Sequence, residues 1–577
     1  FSHLTHNTNF TYRISGRTNA KFLGYFTRVQ TYEVLWMRIR MKEDKEFPEV
    51  TTSEILEVGV IGLGVATVTL TGPMSASKLS IIIVYIVASV TQFLRRPEHL
   101  AAQEAWIFRK NSNNGIVVGS LLFMLVSLGL QGDTCQGFQS VLDCSVIQLM
   151  FLNLLVLLVC SVPNLGKPWI IMGQTVYALG GFMFVRSGLQ GMPTAVINIV
   201  DMFIFYPTMT LMFFSALLMF LPGSLTAGEA LFITQILTAL TRVPVEPAYT
   251  DTPDRHLSYI RKVCLTSCIH IAIVVMYVVT KLNEINLAYS KGYIDKSTAD
   301  KKRWKWSLYF YLGVAAEIFL FELPRLYIRI GENPFLWLLD FILTDRKRII
   351  LINIWLILIT VGIGVVIFNQ TSSTQVRKIF HILAVAVFIP GLHLDPQLLL
   401  LAATGLTCIF ILTEYIRIFR VQPYGDLIHD ALSAFTNEQD SGIAILTPIC
   451  LLIGFYQPLH YSNDASLAEF ESKFFLYSGV LSTGIGDTAA SVIGSKYGRV
   501  RWPGSKKTIE GTLGAVVSQL IVCALLSIFL GVEPSFSSAW IPITWTIILT
   551  SLLEAFTTQI DNLVLPSFMM AIFMALS

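Results

Sequence analysis

Apolar runs long enough to cross a bilayer recur along almost the whole chain and leave it few ways to fold. A span needs about 20 mostly apolar residues. Such runs lie near 56–73, 79–94, 115–131, 145–162, 168–187, 194–221, 262–280, 306–322 and 349–368, and in the last third near 379–392, 397–413, 443–457, 473–493, 512–531, 541–557 and 562–577. Several are short, so roughly 13–17 spans are expected. The expected fold class is all-α, a polytopic integral membrane protein. Composition agrees: 54% of the 577 residues are hydrophobic and 14% are charged, against about 25% charged in soluble domains. Mean hydropathy is +0.63. Disorder, a fibrous protein and a disulfide-rich secreted module are excluded on these grounds.

A net charge of +3 offers no global field for nucleic acid, so no nucleic-acid partner is expected. The eight cysteines are scattered and imply no disulfide or zinc framework. Cys135 and Cys144 share a polar loop and could pair if it is luminal. Cys264, Cys268 and His270 are close in sequence, but cysteines at i, i+4 on an apolar helix more often pack than bind metal. The chain opens on Phe1, which points to a processed or incomplete start, and no cleavable signal pattern is visible. Three regions are expected: a polar, aromatic segment 1–50, a multi-span region 51–345, and a chemistry-bearing multi-span region 346–577. Polar loops are expected at 242–261 and 283–305. The second holds Lys301, Lys302, Arg303 and Lys305 beside Trp304 and Trp306, a membrane-interface pattern. Asp201, Glu317 and Asp340 are acids in apolar stretches, functional or structural in equal measure.

The densest polar signal runs from Ser482 to Gly511: STGIGDTAASVIGSKYGRVRWPGSKKTIEG. Asp487 sits among small residues in an apolar segment, where a ligand or another helix can come close. Ala490, Gly494 and Gly498 repeat at i, i+4 and clear one face. A basic loop follows with Arg499, Arg501, Lys506 and Lys507, and a Trp-Pro-Gly turn at Trp502–Gly504. Two motif matches fail. Gly484 to Ala489 fits a dinucleotide fingerprint by letter, but in an apolar helix and not after a strand. Gly498 to Thr508 imitates a P-loop with the wrong spacing, and Ser505 precedes Lys506. What remains is an embedded acid, then two lysines, a hydroxyl and a second acid at a span's mouth. That set suits a metal–phosphate site, because Mg²⁺ takes one or two carboxylates plus phosphate oxygens and lysines neutralise the rest. An ordinary positive loop, with Asp487 joining two helices, fits the spacing equally well.

Other clusters tilt that balance. Arg377, Lys378 and His381 open one segment; Glu414 and Arg417 close the next; Glu438 and Asp440 precede another; Glu554, Asp561 and Asn562 bracket the last junction. Counting crossings from Lys378 puts every cluster on one face. That face carries Arg377, Lys378, Arg417, Arg420, Lys496, Arg499, Arg501, Lys506 and Lys507, whereas loops 393–396, 458–472 and 532–540 hold no Arg or Lys. It is therefore the cytosolic face, and the Asn369-Gln-Thr371 sequon lies there unglycosylated. Arg346, Lys347 and Arg348, across span 349–368, oppose this assignment.

The run GDTAASVIGSKYGRVRWPGSKKTIEGT resembles the signature of the dolichol kinase family. So do the Arg-Lys-x-x-His segment (Arg377, Lys378, His381), the acidic pair Glu438 and Asp440, and the ending LEAFTTQIDNLVLP with Glu554 and Asp561. The likeness covers about residues 375–577 in family order. More distantly the pattern is similar to polyprenol and phytol kinases and to CTP:phosphatidate cytidylyltransferases, which transfer CMP instead. The resemblance implies a multi-pass enzyme of the endoplasmic-reticulum membrane with its active site facing the cytosol. It would move the γ-phosphate of CTP to dolichol, giving dolichyl phosphate for protein glycosylation. It implies a CTP-binding loop at about 482–519 and a divalent cation such as Mg²⁺. Asp487, Lys506, Lys507, Glu510 and His381 would be catalytic. Arg377, Lys378, Glu438, Asp440, Gly486, Arg501, Trp502, Pro503, Gly504, Ser505, Thr508 and Gly511 would hold the nucleotide. Asp487, Glu510 and Asp561 would hold the metal. The partners are dolichol, CTP and membrane lipid, with no protein partner indicated. A transporter with a cytosolic basic gate is the rival from another class, and its expected repeat symmetry is absent from the sequence.

Overall fold

The computed structural model describes residues 51–71, 74–94, 108–109, 112–131, 206–240, 253–368, 373–433, 436, 438–461, 473–530 and 540–576. Segment 1–50, the Cys135–Cys144 pairing, spans 145–162 and 168–187, Asp201 and the Asn369 sequon lie outside these residues. The chain is all-α. Among the described residues the sole β structure is an isolated antiparallel bridge, Arg501 to Thr508.

The first five helices are α1 Thr52–Leu70, α2 Ala76–Leu94, α3 Ile116–Gln131, α4 Tyr206–Phe220 and α5 Ala227–Leu240. Then come α6 Pro253–Ser290 and α7 Lys296–Ala316, which runs through a π-helical turn, Glu317–Glu322, into α8 Leu323–Ile330. Next are α9 Pro334–Thr344, α10 Arg346–Phe368, α11 Ser373–Leu394, α12 Pro396–Ile418, α13 Gly425–Ser433 and α14 Thr447–Tyr461. A 3-10 turn (Lys473–Tyr477) and a π-helical turn (Val480–Asp487) lead into α15 Thr488–Tyr497, followed by α16 Ile509–Leu530, α17 Trp540–Phe556 and α18 Asp561–Leu576. Among the described residues, five helical segments are long and apolar enough to cross a membrane: Thr52–Leu70, His256–Ser290, Lys296–Ile330, Pro396–Ile418 and Ile509–Phe529. Shorter apolar helices, α11, α17 and α18 among them, pack between them.

Helix starts follow local chemistry. Asp295 caps α7 by accepting from Thr298 N, and Asn333 with Pro334 at the first position starts α9. Asp395 with Pro396 starts α12 in the same way, accepting from Leu398 N at 2.8 Å. Gly331 ends α8 with φ +83°.

Two expectations are corrected. The polar stretches 242–261 and 283–305 are not simply loops: α6 covers 253–290, and α7 begins at Lys296. At 1.5 Å per residue the 38 residues of α6 measure about 57 Å, far more than the roughly 30 Å of hydrocarbon. The helix therefore carries polar residues past the bilayer. Its extension is held by Arg303, which donates to Asn286 Oδ1 at 2.8 Å and to Asp300 at 3.1 Å. Helices α5 and α9 were not among the expected spans. The Arg346–Arg348 cluster is partly explained: Arg348 pairs with Asp395 at 2.6 Å and donates to Phe341 O. One of the three charges is thus spent on capping structure and not on a membrane surface.

The C-terminal helix α18 is the centre of the packing. Every residue from Asn562 to Met574 is buried, as a helix apolar all round requires. Helices α1, α3, α14 and α17 surround it. At the periphery Ile273, Leu312, Phe319, Leu320, Ile528 and Phe529 are exposed, a surface fit for lipid tails and not for water.

Candidate active site

Asp487 ends the π-helical turn Val480–Asp487 and is buried. Helix α11 packs along this turn and delivers two side chains. Lys378 Nζ lies 2.5 Å from Asp487 Oδ2 and also donates to the Asp487 carbonyl at 3.3 Å; His381 Nε2 lies 3.6 Å from the same carboxylate oxygen. Lys378 and His381 are one helical turn apart and so share a face. Arg377 heads the same helix, its side chain outside the described residues. The hydroxyls of Thr483 and Thr488, flanking Asp487, are buried without a hydrogen-bond partner among the described residues. Gly486 is buried beside Asp487, with Gln519 of α16 close over it.

The face cleared by Ala490, Gly494 and Gly498 is used by α16. A Cβ on Gly511 would meet the Ala490 carbonyl at 2.8 Å, and one on Gly498 would meet Thr508. This close crossing brings the start of α16 against α15. Thr508 accepts from Gly511 N at 3.2 Å and opens the helix.

Between them residues 500–509 form a tight hairpin. Ile509 N donates to Val500 O and Trp502 N to Lys507 O. The expected turn forms: Ser505 N donates to Trp502 O, with Pro503 and Gly504 at its corners and Gly504 at φ +70°. Pro followed by a residue with positive φ is the type II pattern, which favours glycine. The turn is pinned from three sides. Ser505 Oγ donates to Ala555 O at 2.7 Å, Trp502 packs edge-on to Phe556 and donates to Thr512, and Gly504 lies against the N-terminus of α1 at Ser53. Arg501, Pro503 and Lys506 are exposed on the hairpin.

Lys507 points inward. Its Nζ lies 2.5 Å from Glu554 Oε1, on a carboxylate that is 5% exposed. Burial disfavours the ammonium, but Glu554, Asp561 and Asp487 outweigh it and hold Lys507 above its ordinary pKa. Lys507 is thus the point at which three acids from three segments act together. In the sequence Glu554 stands at the last junction and in the family-like ending, with no role assigned to it.

Glu510 and Asp440 have other occupations. Both oxygens of Glu510 accept from Val500 N at 3.2 Å, closing the hairpin. Asp440 accepts from Leu446 N and from Thr447 N and Oγ1, capping α14. The Glu438 side chain lies outside the described residues. Glu414 and Arg417 form a buried pair, and Glu414 also accepts from Ile445 N. Among the described residues, the ligand atoms of Asp487, Glu510 and Asp561 do not converge as a group within 4.8 Å.

The loop joining α17 to α18, which leads into Asp561, is held by residues that belong to no sequence motif. Arg109 pairs with Glu229 at 2.5 Å and donates to Thr558 O; Glu229 accepts from Ile560 N at 2.7 Å. Thr557 donates to Glu57, Thr226 donates to Gln559, and Gln559 donates to Asn113. Glu57 and Glu229 are acids inside apolar helices, the signal that had singled out Asp201, Glu317 and Asp340.

The family model described as Dolichol kinase matches residues 100–551. The chain belongs to the dolichol kinase family. A dolichol kinase of Mus musculus is 31% identical over 488 residues, 81% of this chain and 87% of the mouse protein. One from Homo sapiens is 40% identical over 293 residues, 48% of this chain and 54% of the human protein. One from Saccharomyces cerevisiae is 30% identical over 284 residues, 49% of this chain and 52% of the yeast protein. No solved structure matches the chain. Dolichol kinase membership extends well into the N-terminal half, where the sequence reading had found no motif.

Proposed function

We propose that this protein phosphorylates dolichol with CTP as donor, at the cytosolic face of the endoplasmic-reticulum membrane. Family membership supports a lipid kinase. The observation that carries the site is the 2.5 Å contact between Lys378 and Asp487. It joins the Arg-Lys-x-x-His segment to the Gly-Asp motif, 109 residues apart, on one buried acid.

In this reading the region 346–577 carries the chemistry and helices before it brace the α17–α18 loop. The terminal oxygen of dolichol attacks the γ-phosphorus, the bond from γ-phosphorus to the β-bridging oxygen breaks, and CDP leaves. Asp487 accepts the hydroxyl proton or, with the Thr488 hydroxyl, offers hard oxygen donors to Mg²⁺. Hard carboxylate and hydroxyl oxygens are the donors that ion takes, so the residues fit it. When bound, Mg²⁺ supplies charge neutralisation at the phosphate oxygens. Asp561 is the second candidate ligand, and Glu510 is the weaker one because it closes the hairpin. Lys378 and Lys507 rest on carboxylates and can turn to the triphosphate, with Lys506, Arg501, Arg377 and His381 completing the cage. The backbone from Gly504 through Ser505 and the Thr508 hydroxyl line the hairpin beside Lys507, while Trp502, Pro503, Gly486 and Gly511 fix its shape. Glu438 and Asp440 are the remaining candidates for the nucleotide, Asp440 the weaker because it caps α14.

The test is the position of the label. Purified protein with dolichol, Mg²⁺ and CTP labelled at the α- or γ-phosphate should place only γ-label in lipid. α-Label in lipid would mean CMP transfer and overturn the kinase reading.

A further inference from the structure

Away from the active site, helices α6 and α7 carry a second polar cluster inside their apolar length. His270 Nδ1 lies 2.8 Å from Glu322 Oε1 and 3.2 Å from Glu317 Oε1. Both glutamates are about one-twentieth exposed, and the histidine is nearly half exposed. The three ligand atoms all lie within 4.8 Å of one another. Among the described residues no other group of three His, Cys, Asp or Glu meets that condition.

The backbone makes this cluster. In an α-helix, residues five apart point about 140° away from each other. Glu317 and Glu322 are the two ends of the π-helical turn that interrupts α7. Hydrogen bonds there run from i to i+5, which stacks residues five apart, and such turns gather at functional sites. The distortion therefore brings two carboxylates to one imidazole. The cysteines near His270 in sequence are turned to other contacts: Cys268 donates to the Cys264 carbonyl, which also accepts from Cys408 of α12.

Two buried carboxylates in an apolar setting are costly unless their charge is met. Arg325 reaches Glu322 at 3.5 Å from a half-exposed position, and among the described residues His270 is the one ion-pair partner of Glu317. The three groups also line a cleft of about 430 Å³, whose walls include Ile273, Val274 and Phe321. All three of these walls are exposed on the apolar periphery. For a tetrahedral ion with ligands at 2.0–2.2 Å, neighbouring ligand atoms lie roughly 3.4 Å apart. The observed 2.8 and 3.2 Å need only a slight opening.

We propose that His270, Glu317 and Glu322 bind a divalent first-row transition-metal ion, Zn²⁺ being the best match, with an open coordination position facing the cleft. One nitrogen and two carboxylate oxygens suit Zn²⁺ better than Mg²⁺, which takes oxygen alone. Three protein ligands with a fourth position free is the arrangement of an exchangeable site, not of a closed structural one.

The test uses the full chain, purified in detergent and stripped with a chelator, without CTP. Zn²⁺ is titrated against a fluorescent chelator, and bound metal is counted by mass spectrometry. The proposal expects one tight equivalent per chain, weakened at least about 100-fold in His270→Ala and in Glu317→Gln. Because either variant could fail to fold, Co²⁺ is added to the unaltered protein in parallel. A tetrahedral ligand-field band should appear and be displaced by Zn²⁺. No Co²⁺ band and no tight equivalent in the unaltered protein would overturn the proposal. So would tight binding that is unchanged in both variants, which would place the ion elsewhere.

Discussion

Replacing Asp487 by Asn separates chemistry from architecture at the centre of the proposed site. The Asp487 and Lys378 side chains are 10% and 16% exposed, so the pair is nearly buried. Breaking such a pair by removing one partner costs about 3–5 kcal/mol. Asn keeps an oxygen for Lys378 to donate to, which returns part of that, and the expected net loss is about 2–3 kcal/mol. Adding Lys378→Met removes the stranded ammonium and should recover most of the stability. The barrier to transfer should behave differently. Loss of a base or metal ligand lowers rates about 10²–10⁴-fold, a barrier increase of about 3–5 kcal/mol at 1.36 kcal/mol per decade. The assay is γ-phosphate transfer from CTP to dolichol, run at a temperature where melting curves show Asp487→Asn fully folded. A folded variant that kept more than about one-tenth of the unaltered activity would refute a chemical role and leave Asp487 as a helix-joining residue.

Three further outcomes follow. Gly504→Ala forces a left-handed residue to carry a Cβ, about 1–2 kcal/mol, and sets that Cβ 2.8 Å from Ser53 N; KM for CTP should rise several-fold with a smaller change in kcat, and unchanged kinetics would show that hairpin docking does not matter. Arg109→Met strands the buried Glu229 carboxylate at a cost of about 3–5 kcal/mol; the melting temperature should fall, Glu229→Gln added to it should restore part of the loss, and a double variant no better than the single would contradict the pairing. Lys507 has its folded pKa raised by Glu554, Asp561 and Asp487, so its stabilising charge is fully present below the ordinary lysine value and is lost only as pH rises through the higher folded value. The melting-temperature difference between the unaltered protein and Lys507→Met should therefore hold steady from pH 7 to about pH 10, and a difference that vanished by pH 9 would show the lysine not to be held charged.

What the sequence revealed and what it hid have a common physical reason. Spacing reports one helix face or one turn. The Trp502–Gly504 turn and the small-residue face at Ala490, Gly494 and Gly498 are local, and both appear in the fold. The Lys507–Glu554 contact joins residues 47 apart, and the Arg109–Glu229 pair serves a loop more than 300 residues further on. No periodicity links such partners, since the tertiary packing around α18 alone brings them together. Glu510 shows the converse. Its place after two lysines suggests a metal ligand, but the hairpin turns it onto its own backbone. The polar ends of α6 and α7 read as loops because apolarity marks where a helix meets lipid and not where it stops.

The most direct measurement is donor-specific transfer by the purified protein in liposomes containing dolichol and Mg²⁺, with γ-labelled CTP and γ-labelled ATP supplied in separate reactions. The account predicts labelled dolichyl phosphate from CTP, little from ATP, and loss of the CTP signal in Asp487→Asn and Lys507→Met. Well-folded protein that placed no label in lipid from CTP would contradict it.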